Sequence, residues 1–130
     1  MKGNNKFYKN EKLKSKKSID LLFKSGKSFN ESFFRILYQP YKSTALPKIC
    51  ISIPKKNIKL AVNRNLLKRR IRAAYRLNNN KLKLHCNNKK ISINLMLIYT
   101  SKQILTYHNI EDKIKVILTR LIELSEVVDK

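Results

Sequence analysis

The chain has 130 residues and a mass of 15.3 kDa, which is enough for one domain with a hydrophobic core of its own. It carries 30 Lys and Arg against 8 Asp and Glu, so its formal net charge is +22 and a polyanion such as nucleic acid is the expected partner. No apolar stretch approaches the roughly 18 residues of a membrane-spanning helix, and the N-terminus lacks an apolar signal core. These features predict a cytoplasmic protein with no membrane partner.

The carboxylates are absent from the middle of the chain, since none lies between residues 32 and 110. Hydrolysis of phosphodiesters by bound metal ions needs converging carboxylates, and this region has none to offer. Metal-free cleavage of RNA needs two imidazoles in register, whereas His85 lies in a polar segment and His108 just before a helix. The composition therefore predicts a binding protein with no catalytic residues and no metal or cofactor of its own.

The N-terminal part of the chain predicts a basic arm followed by a short helix. Residues 1–12 are polar and rich in lysine and are expected to be flexible, and the whole of residues 1–130 is expected to form a single RNA-binding domain. Ser18 is the predicted cap of the short helix, and Gly26 is predicted to end it in the left-handed conformation. The face of this helix is formed by Ile19, Leu22 and Phe23.

Two strands are predicted next. Residues 33–38 alternate between two faces, with Phe34, Ile36 and Tyr38 on one of them, and Pro40 is expected to end this strand. Residues 48–53 predict a half-buried strand in which Ile49, Ile51 and Ile53 share a face.

Residues 57–77 predict a helix with one strongly basic face. At about 100° per residue, its polar side chains fall within an arc of roughly 140°, namely Arg64, Asn65, Lys68, Arg69, Arg72, Tyr75 and Arg76. Leu66, Leu67, Ile71, Ala73, Ala74 and Leu77 fill most of the opposite arc, with Arg70 among them. Like charges at i, i+4 repel along the basic face, which is typical of a surface that binds a polyanion.

The remainder of the chain predicts a polar, irregular segment, a strand and a final helix. Residues 78–90 are expected to be irregular or frayed, and residues 91–99 are expected to form the central, doubly buried strand. Asn109 is the predicted cap of the last helix, with Asp112 at its third position. The order helix, strand, strand, optional strand, helix, strand, helix describes an α+β single-domain α/β sandwich with a βαβ unit.

Two further motifs are weak. Gly26, Lys27 and Ser28 copy the end of a phosphate-binding P-loop, but the leading glycine of that motif would fall at Leu21. Cys50, His85, Cys86 and His108 could in principle bind zinc, yet none of them has the paired spacing that zinc sites use. Reduced, partly buried thiols are the expected state of both cysteines.

The sequence resembles the protein component of bacterial ribonuclease P, the ribonucleoprotein that removes 5′ leaders from precursor tRNA. The resemblance rests on Lys55-Lys56, Ala61-Val62, Arg64-Asn65, Lys68-Arg69, Ile71-Arg72 and Tyr75-Arg76. Residues 22–28, followed by a strand ending at Tyr38, are similar to the first helix and strand of that family. The order of elements agrees over residues 13–124.

The resemblance implies a fold like the second domain of ribosomal protein S5, with a left-handed βαβ crossover. It implies an endoribonuclease only as the holoenzyme, with the active centre and its Mg²⁺ on the RNA subunit, and with that RNA and precursor tRNA as partners; no protein partner is expected. The implied contacts to the RNA subunit are Lys55, Lys56, Arg64, Asn65, Lys68, Arg69, Arg72 and Arg76. A cleft for the single-stranded leader is implied between the first helix and the sheet, lined by Ile19, Phe23 and Tyr38.

The chain departs from the family at two positions. Leu66 stands where the family usually has an arginine, and Arg70 is a possible substitute. Ile19 stands where some members have an aromatic residue. A ribosomal or other structural RNA-binding protein is the main alternative, because it would share the basic helix without needing a leader cleft. A helix-turn-helix DNA-binding module fits less well, since a strand and Pro54 precede the basic helix.

Overall fold

The computed structural model describes residues 11–125, which form a four-stranded sheet with helices on both faces. The elements in chain order are α1 (Lys16–Ser25), β1 (Lys27–Glu31), β2 (Phe34–Lys42), β3 (Lys48–Ser52), α2 (Ala61–Asn78), α3 (Asn80–Lys89), β4 (Ile91–Tyr99) and α4 (Tyr107–Ser125). This arrangement confirms the predicted α+β sandwich.

The sheet has the order β1-β2-β4-β3. The strands β1 and β2 are antiparallel, β2 and β4 are antiparallel, and β3 and β4 are parallel. The strand β4 is therefore central, as predicted, and the chain passes from β3 to its parallel neighbour β4 through α2 and α3. The left hand of this crossover stays a prediction from the family resemblance.

The two faces of the sheet support cores of different size. The larger core lies under α2, α3 and α4 and receives Phe34, Ile36 and Tyr38 from β2 together with Ile93 and Leu95 from β4. The smaller core lies under α1 and contains Leu13, Leu22, Leu37 and Met96, with Ile19, Cys50 and Ile98 packed against it. Because successive side chains of a strand point to opposite faces, Tyr38 and Leu37 belong to different cores.

The ends of α1 differ from the prediction. Ser15, rather than Ser18, caps the helix, and its side chain accepts a hydrogen bond from the Ser18 amide at 3.3 Å. Gly26 does follow the helix, but with a φ of −70° it is not left-handed. Glycine is required here for space, because a Cβ atom would collide with the carbonyl oxygen of Leu22.

The first two strands are also more extensive than expected. Residues 27–31 form an additional strand, β1, which precedes both predicted strands and pairs with the first half of β2. The optional strand, expected between the second predicted strand and the basic helix, is not among the described elements. Pro40 does not end β2, which continues to Lys42. The proline is tolerated because β1 pairs with β2 only as far as Tyr38, so that side of β2 is an open edge at Pro40.

The basic helix begins at Ala61 rather than at residue 57, since residues 55–57 form a turn. The prediction that residues 78–90 are irregular is wrong, because most of them form α3. Leu82 and Cys86 lie one turn apart on α3 and are both buried in the larger core, which stabilises this helix despite its polar sequence.

The last helix begins earlier than predicted. The Asn109 amide donates to the Thr106 hydroxyl at 3.2 Å, and the Ile110 amide donates to the Thr106 carbonyl at 3.0 Å. Thr106 is therefore the N-cap of α4, and Asn109 occupies the third helical position. Asp112 lies one turn further on and faces His108 at 3.5 Å.

The predicted flexible arm is described only at its last two residues, because residues 1–10 lie outside the described part of the chain. Glu11 is buried and Lys12 forms a parallel β-bridge with Ile49, so these two residues are held against the domain. Within residues 11–125, no helix is both long enough and apolar enough to cross a membrane.

The cap of α4 provides a test of these boundaries. Replacing Thr106 by Ala should lower the free energy of unfolding by about 0.5 to 2 kcal/mol, because the amide of Asn109 loses its acceptor. Asn109→Ala is the matched control and should cost less. Denaturant unfolding of both variants measures the difference, and a larger loss for Asn109→Ala would restore the predicted cap.

Candidate nucleic-acid interface

The basic residues of α2 form a surface that no acid among residues 11–125 neutralises. Asn65 and Arg69 are exposed, and Arg64, Lys68, Arg72 and Arg76 are half-buried. Within residues 11–125, none of these cations forms a salt bridge with a carboxylate. We refer to Arg64, Asn65, Lys68, Arg69, Arg72 and Arg76 as the basic face.

Two residues of α2 differ from their predicted places. Tyr75, which the helical arc placed among the basic residues, is fully buried in the larger core. Leu77, predicted to pack inward, is exposed. The Arg70 guanidinium, at Nη1, donates to the Leu105 carbonyl at 2.5 Å and so anchors the loop before α4. Arg70 thus reaches inward, as its place among the apolar positions predicts, and its part as a substitute for the arginine missing at Leu66 stays a prediction.

The two lysines that precede α2 lie on a rigid turn. The amides of Asn57 and Ile58 donate to the Pro54 carbonyl, and the Asn57 side chain donates to the Tyr99 carbonyl at 3.1 Å. Lys55 and Lys56 are exposed on this turn. Ile58 is buried below them, so the turn cannot swing away from α2 without exposing apolar surface.

Arg64 connects this turn to the basic face. Its Nη1 donates to the Ile58 carbonyl at 2.9 Å and to the Lys59 carbonyl at 2.7 Å. A guanidinium has five N–H donors, so these two bonds leave others for an external anion. Arg64 thus holds the segment that carries Lys55 and Lys56 against the start of the basic face.

A groove of about 300 Å³ lies between the start of α1 and the sheet. It is lined by Lys12, Leu13, Lys14, Ser15, Ser18, Tyr41, Lys48 and Asn94, and it adjoins a second hollow lined by Ser18, Leu21, Gln39, Tyr41 and Asn94. Asn94 pairs with Gln39 on one side and with Lys48 on the other, so two amides and an ammonium group lie in one row across the sheet. We refer to these two hollows together as the α1 groove.

The structure does not bring the three predicted leader contacts together. Ile19 is half-buried against the smaller core, on the inner side of α1. Phe23 is on the same helix but is 61% exposed. Tyr38 is 5% exposed and lies on the opposite face of the sheet, where its ring meets Phe29 edge-on at 5.8 Å between centroids.

The aromatic side chain that lines the α1 groove is Tyr41, which the sequence reasoning missed. Tyr41 shares its face of β2 with Leu37 and Gln39, whereas Tyr38 shares the other face with Ile36. The alternation along residues 34–41 contained this signal, but the expected end of the strand at Pro40 hid it. Asn94 Oδ1 is buried at the floor of the groove, with no hydrogen-bond partner among the described residues.

The cysteines match the predicted reduced thiols. Both are free, Cys86 being buried and Cys50 half-buried. Burial raises the pKa of the Cys86 thiol to about 11, so this group is protonated at neutral pH. Burial also raises the pKa of Cys50, while the charges of Lys68 and Arg72 oppose that shift. Among residues 11–125, no group of three His, Cys, Asp or Glu side chains is placed to hold a metal ion.

Comparisons with known proteins agree on one family. The sequence model of the family described as Ribonuclease P matches residues 7–122. A ribonuclease P protein component of Porphyromonas gingivalis is 28% identical over 115 residues, which cover 87% of this chain and 84% of that protein. The corresponding protein of Chlorobium phaeobacteroides is 36% identical over 77 residues, covering 55% of this chain and 53% of that one.

Solved structures support the same fold. The ribonuclease P protein of Thermotoga maritima superimposes with a TM-score of 0.65 at 23% identity, covering 85% of this chain and 96% of that chain. The protein of Staphylococcus aureus gives a TM-score of 0.61 at 19% identity, covering 92% of this chain and 99% of that chain.

The contacts of Arg64 lead to a test with a charge-conserving variant. Arg64→Lys keeps the positive charge, but its Nζ lies one bond nearer the backbone than the Nη1 that bonds the carbonyls of residues 58 and 59, so it should destabilise the fold by about 1 to 3 kcal/mol. Amide hydrogen exchange in residues 55–60 should accelerate. Arg69→Lys, at an exposed position, is the control, and equal exchange in the two variants would contradict the role of Arg64.

Proposed function

Because the chain belongs to the ribonuclease P protein family, and so is the protein subunit of ribonuclease P in tRNA 5′ maturation, we propose how its surfaces divide that work. The basic face and the turn of Lys55 and Lys56 bind the catalytic RNA subunit, and the α1 groove receives the 5′ leader of precursor tRNA. The chemistry belongs to the RNA and its Mg²⁺, and the assembly works in the cytoplasm.

The single observation that carries this proposal is the unneutralised charge of the basic face. Repulsion among Arg64, Lys68, Arg72 and Arg76 destabilises the free protein, and a phosphate backbone relieves it. The apolar side of α2 is occupied by the larger core, so the residues of the basic face lie on the side of the helix away from that core. The charge of Arg76 also acts on the start of α4, where it opposes the rise that burial causes in the pKa of Tyr107.

The α1 groove has the groups that a single strand of RNA requires. Tyr41 offers a ring on which a base can stack, and Lys12, Lys14 and Lys48 offer ammonium groups to the backbone. The amide of Gln39 can donate and accept hydrogen bonds at a base edge, and the Nδ2 group of Asn94 can donate one. Phe23 lies outside this groove and is exposed, so it could contact only RNA that leaves the groove along α1.

Catalysis by the protein itself is not part of the proposal. Glu31 and Glu111 are the acids on either side of the acid-free region, and both have partners within the fold. Glu31 forms a salt bridge with Arg120 at 3.2 Å, and Glu111 accepts a hydrogen bond from the Asn78 side chain at 3.0 Å. The contribution of the protein is to attract RNA, to hold it in one register and to lower the repulsion between the RNA subunit and its substrate.

The main alternative, a ribosomal or other structural RNA-binding protein, explains the basic face equally well. It gives no reason for a groove with a tyrosine, two amides and three lysines on the opposite side of the sheet from α2. The two functions are separated by comparing substrates with and without a leader.

The first test is the salt dependence of RNA binding. With about five phosphate contacts, log K should fall with log salt at a slope of roughly −4, and each lost contact should flatten the slope by about one unit. Lys68→Ala with Arg69→Ala should therefore reduce the slope by about two units. Lys113→Ala with Lys115→Ala, on α4, is the control with the same change in charge. An unchanged slope for the α2 variant would refute the assignment.

The second test compares Tyr41 with Tyr38. Tyr41→Ala should weaken binding of leader-bearing precursor by about 1 to 3 kcal/mol and leave mature tRNA unaffected, because one stack is lost. Tyr41→Phe should retain the preference for precursor. Tyr38→Ala should instead destabilise the core, by about 3 to 5 kcal/mol. If Tyr38→Ala alone removes the preference for precursor in folded protein, the leader lies elsewhere.

A further inference from the structure

One side chain outside both proposed RNA surfaces is buried although it is charged. Of the buried polar and charged side chains in residues 11–125, Glu11 is the only charged one, with 1% of its surface exposed. Burying a carboxylate is costly unless other groups replace the lost water. A protein with 8 acids and a net charge of +22 has nevertheless placed one of them inside the fold.

The partners of Glu11 lie at the junction of α2 and α3. Its Oε1 is 3.0 Å from Lys83 Nζ and accepts a hydrogen bond from Asn79 Nδ2 at 3.4 Å. Tyr75 is close enough that burial and then the charge of Glu11 raise the pKa of its phenol. Glu11 therefore fastens the N-terminal segment to helices that follow it by more than sixty residues, a separation of 68 for Asn79.

This attachment fixes the course of the chain up to α1. Lys12 forms its bridge with Ile49, and the Leu13 amide donates to the Ile49 carbonyl at 2.9 Å. The side chain of Leu13 enters the smaller core, and Ser15 caps α1. The segment from Glu11 to Ser15 thus lies along the outer edge of β3, held at one end by Glu11 and at the other by α1.

The segment also connects the two proposed RNA surfaces. Lys12 and Lys14 line the α1 groove together with Tyr41. They also line a separate cavity, outside that groove, together with Cys50 and Arg72. Arg72 belongs to the basic face of α2. The two lysines consequently bridge the cations of α2 and the groove, so that one continuous positive surface passes over the edge of β3.

We propose that Glu11 is a positioning residue for RNA binding. Its buried carboxylate, clamped by Lys83 and Asn79, holds Lys12 and Lys14 between the basic face and the α1 groove, although Glu11 itself touches no RNA. This inference rests on the proposed RNA-binding function of those two surfaces. The expected effect of removing Glu11 is opposite to that of charge alone, because the loss of a negative charge from the protein weakens its binding to a polyanion.

The experiment measures affinity for precursor tRNA, as well as for the RNA subunit, in Glu11→Ala and in Asp20→Ala, which removes an exposed acid of α1. Glu11→Ala should weaken binding by roughly three- to tenfold, the scale of one or two lost phosphate contacts. Asp20→Ala, with the same gain in net charge, should bind as well as the parent protein or more tightly. Hydrogen exchange of the Leu13 amide should be faster than in the parent protein in Glu11→Ala, but not in Asp20→Ala.

A purely stabilising role is distinguished by combining variants. In the parent protein, Lys12→Ala with Lys14→Ala should weaken binding, but the same pair added to Glu11→Ala should have little further effect. If Glu11→Ala unfolds at the assay temperature, Glu11→Gln replaces it: the amide oxygen can still accept from Asn79 but the ion pair with Lys83 is lost, so binding should weaken in the same direction by a smaller factor. Full additivity of the two changes would overturn the inference.

The outcomes also separate the two levels of the proposal. If Glu11→Ala binds like Asp20→Ala while Lys68→Ala with Arg69→Ala binds weakly, the positioning role is wrong and the RNA surface stands. If Lys68→Ala with Arg69→Ala binds like the parent protein, the proposed function fails and the inference falls with it.

Discussion

The repulsion among the cations of α2 is the constraint on which the structure depends. No carboxylate occurs between residues 32 and 110, so the helix and the strands beside it have no acid of their own to balance it. The helix is held instead by its apolar side, where Leu67, Ile71 and Tyr75 are fully buried. Apolar burial of this kind contributes about 25 cal/mol per Å² and is independent of charge. The fold can therefore keep an unneutralised positive surface facing outward.

The elements around α2 determine where the positive charge lies on the surface. Arg70 anchors the loop before α4, and Arg64 holds the turn before α2, so two of the basic residues also organise the backbone. On the other face of the sheet, α1 leaves a groove whose floor is polar and whose rim carries lysines. The charge of the protein is thus arranged on two surfaces that meet at the edge of β3.

The parts of the fold that the sequence predicted were those with a strong local pattern. The apolar run of β4 and the alternation of β3 indicated strands, and the spacing of Ile110, Ile114 and Leu121 indicated α4. The helix α3 was missed because only Leu82 and Cys86 are buried along its length. Its stability comes from packing against β4 and α4, which are distant in sequence, so no local pattern could reveal it.

The candidate site divides in the same way. The basic face was predicted because charge is a property of the residues themselves, and it needed only the helical period to assemble. The groove depended on which face of β2 meets α1, where a shift of one residue exchanges a buried ring for a groove-lining one. The sequence therefore points to Tyr38, whereas the structure places Tyr41 in the groove. Glu11 had no local signal, since its partners Asn79 and Lys83 become neighbours only in the folded chain.

The most direct measurement is reconstitution of precursor tRNA cleavage with a ribonuclease P RNA at low Mg²⁺, with and without this protein. The account predicts that cleavage by the RNA is weak under these conditions, that the protein restores it, and that the protein alone leaves the precursor intact. Failure of the protein to stimulate the RNA, or cleavage by the protein without RNA, would contradict the account.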